Sequence, residues 1–182
     1  ISIEQKTTNK NPRSTVGTVT EVYDYLRLLY ARAGEAFSYE TGERMVKYTE
    51  EDVLRLLLEQ YNGSRIYLLA PLVQNRKGHY RELFDSIRKK GYLYARVDGE
   101  IVDVTEGMKV DRYKNHDIEV IIDKLAISDK DEERLKKSLE VAMKMGEGQG
   151  MVVDSGQATV KHYSKKLMCP TTGLCYRDPA PH

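Results

Sequence analysis

The chain has 182 residues, 40% hydrophobic and 31% charged, enough apolar side chain for one domain of ordinary size under a very polar surface. Twenty-nine basic residues against twenty-eight acidic ones leave a net charge of +1, which excludes bulk electrostatic attraction to DNA and leaves only local patches for charge-driven binding. No apolar run of about eighteen residues and no secretory leader occur, so a soluble, cytoplasmic location without membrane contact is expected; two cysteines, Cys169 and Cys175, make no disulfide framework.

Thr18-Val19-Thr20-Glu21 is a capping box. Val19, Val22, Tyr23, Leu26 and Leu29 then recur on one helical face, with Gly34 as the stop. Residues 35–47 are weakly periodic and read as a connector at a domain boundary. A second helix starts near Thr49, where Glu50, Glu51 and Asp52 favour its positive end; Leu54, Leu57, Leu58 and Tyr61 form its stripe, and Asn62-Gly63 ends it. Residues 65–73 form an apolar run suited to a buried strand, followed by an exposed basic loop, Gln74-Asn75-Arg76-Lys77-Gly78. A third helix over His79–Lys90 carries Tyr80, Leu83, Phe84 and Ile87 on one side and Arg88, Lys89 and Lys90 at its negative end. Asp98-Gly99 joins two short strands, 92–97 and 100–104, into a type I′ hairpin. A polar link, Arg112 to His116, leads into a long strand over 117–127. Ser128 or Asp129 caps a fourth helix with Leu135, Leu139, Ala142 and Met143 facing inward. A flexible link, 146–150, precedes a closing hairpin, 151–154 with 157–163. This order predicts an α+β (mixed α/β) fold, a mainly antiparallel sheet with about four packed helices.

The opening segment Ile1–Gly17, with Ser2-Ile3-Glu4-Gln5-Lys6-Thr7-Thr8 and Asn11-Pro12-Arg13-Ser14-Thr15-Val16-Gly17, closely resembles, together with the helix through Arg32, the Q-loop region of the first ATPase domain of the UvrA family. Further segments are similar to the UvrB-binding domain that UvrA proteins insert after that loop: Leu68-Leu69-Ala70-Pro71, Arg76-Lys77-Gly78, Gly91-Tyr92, Arg96-Val97-Asp98-Gly99-Glu100 and His116 through Leu125. The resemblance implies three parts: an ATPase remnant over 1–34, a UvrB-binding domain over 35–163, and a return segment with an incomplete zinc-module start over 164–182. UvrA proteins are several times longer, and a start at Ile1 rather than Met fits an internal piece. The parent would use ATP, Mg and Zn in nucleotide excision repair. Gln5 would be its nucleotide-sensing Q-loop glutamine, an amide that hydrogen-bonds the attacking water without competing with the metal.

No G-x-x-x-x-G-K-[S/T] occurs, so no phosphate-cradling loop is present; Val152-Val153-Asp154 and Ser155-Gly156-Gln157 match a Walker B strand and an ABC signature only faintly. The chain by itself is therefore expected to be no enzyme and to hold no cofactor. The pairs Glu50/Glu51 and Glu132/Glu133 sit where helix starts want negative charge, and neither His79 nor His116 has a second metal ligand at useful spacing. Cys169-Pro170-Thr171-Thr172-Gly173 resembles a zinc knuckle of the C-P-x-C-G form, but Thr172 replaces its second cysteine, so Cys169 reads as a vestigial ligand.

The candidate binding residues are Tyr94, Arg96, Lys124, Arg76 and Lys77. Tyr94 and Arg96 share strand parity, and Lys124 lies on a strand that could pair beside them. Family members often carry Arg at the positions of Tyr94 and Lys124, and Arg-to-Lys is not neutral where a carboxylate fork is wanted. An aromatic and basic patch suits docking to an acidic partner, here UvrB by resemblance. For Arg96 the competing reading is a strand residue paired with a neighbouring Asp or Glu. Two other functions stay open: nucleotide contact through Gln5, and DNA contact through Lys6, Lys10 and Arg13 or Arg76 and Lys77, within the full-length UvrA dimer.

Overall fold

A computed structural model describes residues 22–128, 131–156 and 159–176. The chain divides into two compact units, one of residues 1–36 with 177–182 and one of residues 37–176. In the first, helix α1 (Val22–Ala33) ends where the Gly34 amide donates to the Tyr30 carbonyl at 3.0 Å. Its stripe of Val22, Tyr23, Leu26 and Leu29 is exposed. The capping box at 18–21 and Gln5 lie outside the described residues.

The second unit runs α2 (Glu50–Tyr61), β1 (Arg65–Lys77), α3 (Arg81–Lys89), β2 (Tyr94–Val97), β3 (Glu100–Asp103), β4 (Asn115–Ala126), α4 (Glu132–Met145), β5 (Gln149–Asp154) and β6 (Val160–Ser164). The strands form one sheet in the order β3-β2-β4-β1-β5-β6, each pair antiparallel. The apolar runs of β1 and β4 take its centre because their side chains are buried on both faces, which only a central strand allows. The Asp98-Gly99 turn has positive φ at both residues, 50° and 92°, as a type I′ hairpin needs. The fold is thus α+β, as the pattern of elements predicts.

The three described helices of this unit line one face. Val53, Leu57 and Tyr61 of α2 and Leu135, Leu139, Ala142 and Met143 of α4 pack with Ile66, Leu68, Leu125 and Val152. Phe84 and Ile87 of α3 pack with Ala70, Val73, Ala95, Ile118 and Val120. Helix α2 starts as its sequence demands, with the Asp52 amide donating to the Thr49 hydroxyl and the Asp52 carboxylate accepting from the Thr49 amide.

Three expectations need correction. Residues 74–77 are not a loop: β1 continues through Lys77, because β4 pairs with it there, Arg76 registered with His116 and Lys77 with Asn115, while the Asp117 carboxylate accepts from the Asn75 amide at the irregularity. Helix α3 starts later than His79, since Tyr80 takes a left-handed conformation with φ of 52° and its hydroxyl donates to the Arg76 and Lys77 carbonyls. The link 146–150 shrinks to a tight turn, because Gln149 and Gly150 already belong to β5. In addition, the segment read as a connector is pinned to the chain's return. Val46 and Met168 exchange both backbone hydrogen bonds at 2.9 Å, and the Tyr48 amide donates to the Ser164 carbonyl at 2.8 Å.

Candidate docking face

The face of the sheet away from the helices follows from strand parity. Tyr67, Leu69, Ile121, Met151 and Val153 form its apolar centre. Tyr67 is registered with Lys124, Arg96 with Glu119, and Ile101 with Arg96. Tyr94, Arg96 and Lys124 therefore stand on one face, joined by Ile101, because residues two apart on a strand, and registered residues on neighbouring strands, share a side.

Arg96 on β2 and His162 on β6 have three strands between them. Burial, and then the Arg96 charge, hold the His162 imidazole below its ordinary value. The β1–β4 ladder has three register irregularities, between Leu68/Leu69, Pro71/Val73 and Val73/Arg76, and a bulge bends and twists its strand locally.

Exposure differs along the face. Tyr94 is 50% and Ile101 45% exposed, and the neighbouring Leu93 61%. Lys124 is exposed, its ammonium 4.9 Å from the Tyr67 ring centroid, a cation–π distance. The Arg96 side chain is only 19% exposed and lies over Glu119, itself 7% exposed. The Arg96 Nη1 donates to both Glu119 oxygens at 3.4 Å, well beyond the usual charge-assisted contact of about 2.8 Å. So loose a pair does not offset the desolvation of the carboxylate. Burial pushes Glu119 up to about 7, against the pull of Arg96 and with help from the Asp117 charge.

The hairpin is clamped from its turn. His116 is buried, with Nδ1 2.6 Å from the Asp98 carboxylate and Nε2 2.7 Å from the Asp111 carbonyl. Both ring nitrogens face acceptors, so only the imidazolium donates to both. The Asp98 and Asp111 contacts raise the His116 pKa above its ordinary value. Burial works to raise Asp98, but the hydrogen bonds from His116 and the Asp117 amide outweigh it and hold the carboxyl below its ordinary range.

Residues 49–155 match the family model of the UvrA interaction domain. The chain belongs to that family. It is similar to UvrABC system protein A of Thermus thermophilus, 42% identical over 183 residues covering 100% of this chain and 19% of that protein. The corresponding proteins of Staphylococcus epidermidis and Staphylococcus aureus are 45% and 44% identical over 174 residues, each covering 96% of this chain. The chain thus spans about a fifth of the length of these relatives. No helix among the described residues is long and apolar enough to cross a membrane.

Within the interaction domain the five candidate residues do not form one patch. Tyr94, Arg96 and Lys124 share the face away from the helices. Arg76 and Lys77, both exposed at the end of β1, part company: Arg76 is registered with His116, on the helix-side parity of Ile118, and Lys77 with Asn115, on the parity of Glu119. Cys169 is fully buried, away from these residues in sequence and on no strand of the sheet. Sequence reasoning missed Glu119, Ile101 and His116. Glu119 was the one most accessible to it: in the run His116–Leu125 it alone breaks the apolar stretch Ile118–Ile122 with a charge.

Proposed function

We propose that this domain is a docking module through which a UvrA protein recruits UvrB in nucleotide excision repair, with no catalysis of its own. The contact surface is the open face of the β2–β3 hairpin, Tyr94, Arg96 and Ile101, extended across the sheet by Lys124. One observation carries the reading: on this hairpin an aromatic, a guanidinium and an aliphatic side chain face the same way, with the guanidinium half-buried over Glu119. Aromatic and arginine anchors in a partly desolvated setting are what protein partners use as hot spots. The cations suit an acidic partner surface. Membership of an interaction-domain family, and likeness to subunits of a UvrABC system, support a protein partner over a nucleotide.

A pull-down of purified UvrB with the chain, at low and high salt, tests the proposal. Lys124→Glu and Tyr94→Ala touch exposed side chains and are expected to leave the fold intact by circular dichroism. Each is expected to weaken UvrB binding by about 1–2 kcal/mol, roughly five- to thirtyfold. Unchanged affinity in both would place the interface elsewhere.

A further inference from the structure

The family resemblance implies a zinc module at Cys169, and the donors around it do not suit zinc. Among the described residues no group of three or more His, Cys, Asp and Glu could hold a metal ion. The neighbours of the Cys169 thiol are three hydroxyls and one carboxylate: Thr41 Oγ1 lies 3.4 Å from it, Ser38 and Thr172 hydrogen-bond to it, and the thiol donates to the Glu43 carboxylate at 3.7 Å. Structural zinc sites are built from four ionised or imidazole ligands, and one thiol with one carboxylate falls short of that, since neutral hydroxyls do not make up the number.

Yet the geometry is that of two facing knuckles. Ser38-Tyr39-Glu40-Thr41-Gly42 and Cys169-Pro170-Thr171-Thr172-Gly173 match residue for residue. The Gly42 amide donates to the Ser38 carbonyl and the Gly173 amide to the Cys169 carbonyl, both at 2.9 Å. The Ser38 amide donates to the Glu43 carbonyl at 2.8 Å, and the Cys169 amide to the Leu174 carbonyl at 3.0 Å. The Glu43 amide reaches the Thr41 hydroxyl, and the Leu174 amide the Thr172 hydroxyl, each at 3.3 Å. Both glycines have φ of 71°. Each turn is closed by a bridge, Phe37 with Arg44 and Met168 with Cys175, and a third bridge, Val46 with Met168, joins the two. Ser38 and Cys169 at the first position of each turn are both buried.

We propose that these turns are the two halves of a four-ligand centre built without metal. Cys169, Ser38, Thr41 and Thr172 occupy its four ligand positions, and hydroxyl-to-thiol hydrogen bonds clasp residues 37–46 to residues 168–175. In a two-knuckle metal site each turn gives two ligands, from its first and fourth residues. Here those residues are Ser38 and Thr41 on one side, Cys169 and Thr172 on the other, and their side chains meet at one sulfur. The centre ties the segment entering the domain to the segment leaving it, and does so independently of zinc supply.

The test uses the full 182-residue chain. Wild-type protein is expected to purify with no stoichiometric zinc by elemental analysis, and its melting temperature is expected to be unmoved by EDTA. Ser38→Cys, Thr41→Cys and Thr172→Cys together complete four thiols. That variant is expected to take up one Co2+ per chain with the intense visible bands of a tetrahedral thiolate centre, and to melt higher with metal than after EDTA. Should the triple variant not fold, Cys169→Ser decides: with a hydroxyl replacing the thiol it is expected to melt close to wild type, with or without EDTA. Stoichiometric zinc in the wild type, with a melting point that falls on chelation, would overturn the proposal. So would a folded triple variant that leaves Co2+ unbound, or collapse of Cys169→Ser.

Discussion

Glu119 should make the stability of this domain depend on pH near neutrality, with a sign opposite to that of most carboxylates. Its folded-state pKa is raised from an ordinary 4.5 to about 7, first by burial. Between those values the folded chain holds a proton that the unfolded chain lacks, so stability grows as pH falls from about 7 towards 4.5 and is complete below 4.5. Above 7 the buried carboxylate is charged and the gain is absent. At ~1.4 kcal/mol per pH unit, the full effect is about 3 kcal/mol. Glu119→Gln removes the titration while keeping an oxygen for Arg96. Urea unfolding of wild type and Glu119→Gln, at a series of pH values from about 8 to about 4.5, isolates the effect. The difference cancels the His116 and His162 titrations, which both chains share. Wild-type stability relative to the variant is expected to climb by about 3 kcal/mol over that range, most of it between about pH 7 and 5. Arg96→Met in the same series should move the window to higher pH, because the Arg96 charge pulls the Glu119 pKa down. A flat difference curve would refute the reasoning and show Glu119 to be as well solvated as in the unfolded chain.

Three further outcomes follow from the packing. Thr49→Ala removes the hydroxyl that accepts from the Asp52 amide at 3.1 Å and should cost about 1 kcal/mol in urea unfolding. Phe84→Ala empties a fully buried site between α3 and the sheet and should cost about 3–5 kcal/mol by the same assay. Asp98→Asn removes the carboxylate that leads in raising His116, so NMR titration should find the His116 pKa lower in the variant. An unchanged His116 titration would mean that the Asp111 carbonyl alone sets it.

Much of the fold could be read from local pattern. Thr49 with three acids behind it, the Asp98-Gly99 turn and the apolar runs beginning at Arg65 and Asp117 are short-range signals, and each encodes its element through propensity, capping or positive φ. Strand parity alone put Tyr94 and Arg96 on one side. What local pattern lacks is the partner across the sheet. The loose Arg96–Glu119 pair needs β2 registered against β4, and Lys124 over Tyr67 needs β4 registered against β1. Residues 74–77 look like a loop because their composition is polar, and become strand because β4, some forty positions on, pairs with them at His116 and Asn115.

By itself, then, the amino-acid order determined which segments are helix and strand, where most of them begin, and the family to which the domain belongs. Tertiary structure alone decided that Lys124 shares one side of the sheet with Tyr94 and Arg96, that Arg76 and Lys77 point to different sides, and that Ser38 and Thr41 meet Cys169 across the domain. The physical reason is range. Helical periodicity, caps and turns are settled among residues a few positions apart, whereas burial, charge pairing and the meeting of two distant turns exist only once the whole sheet has closed.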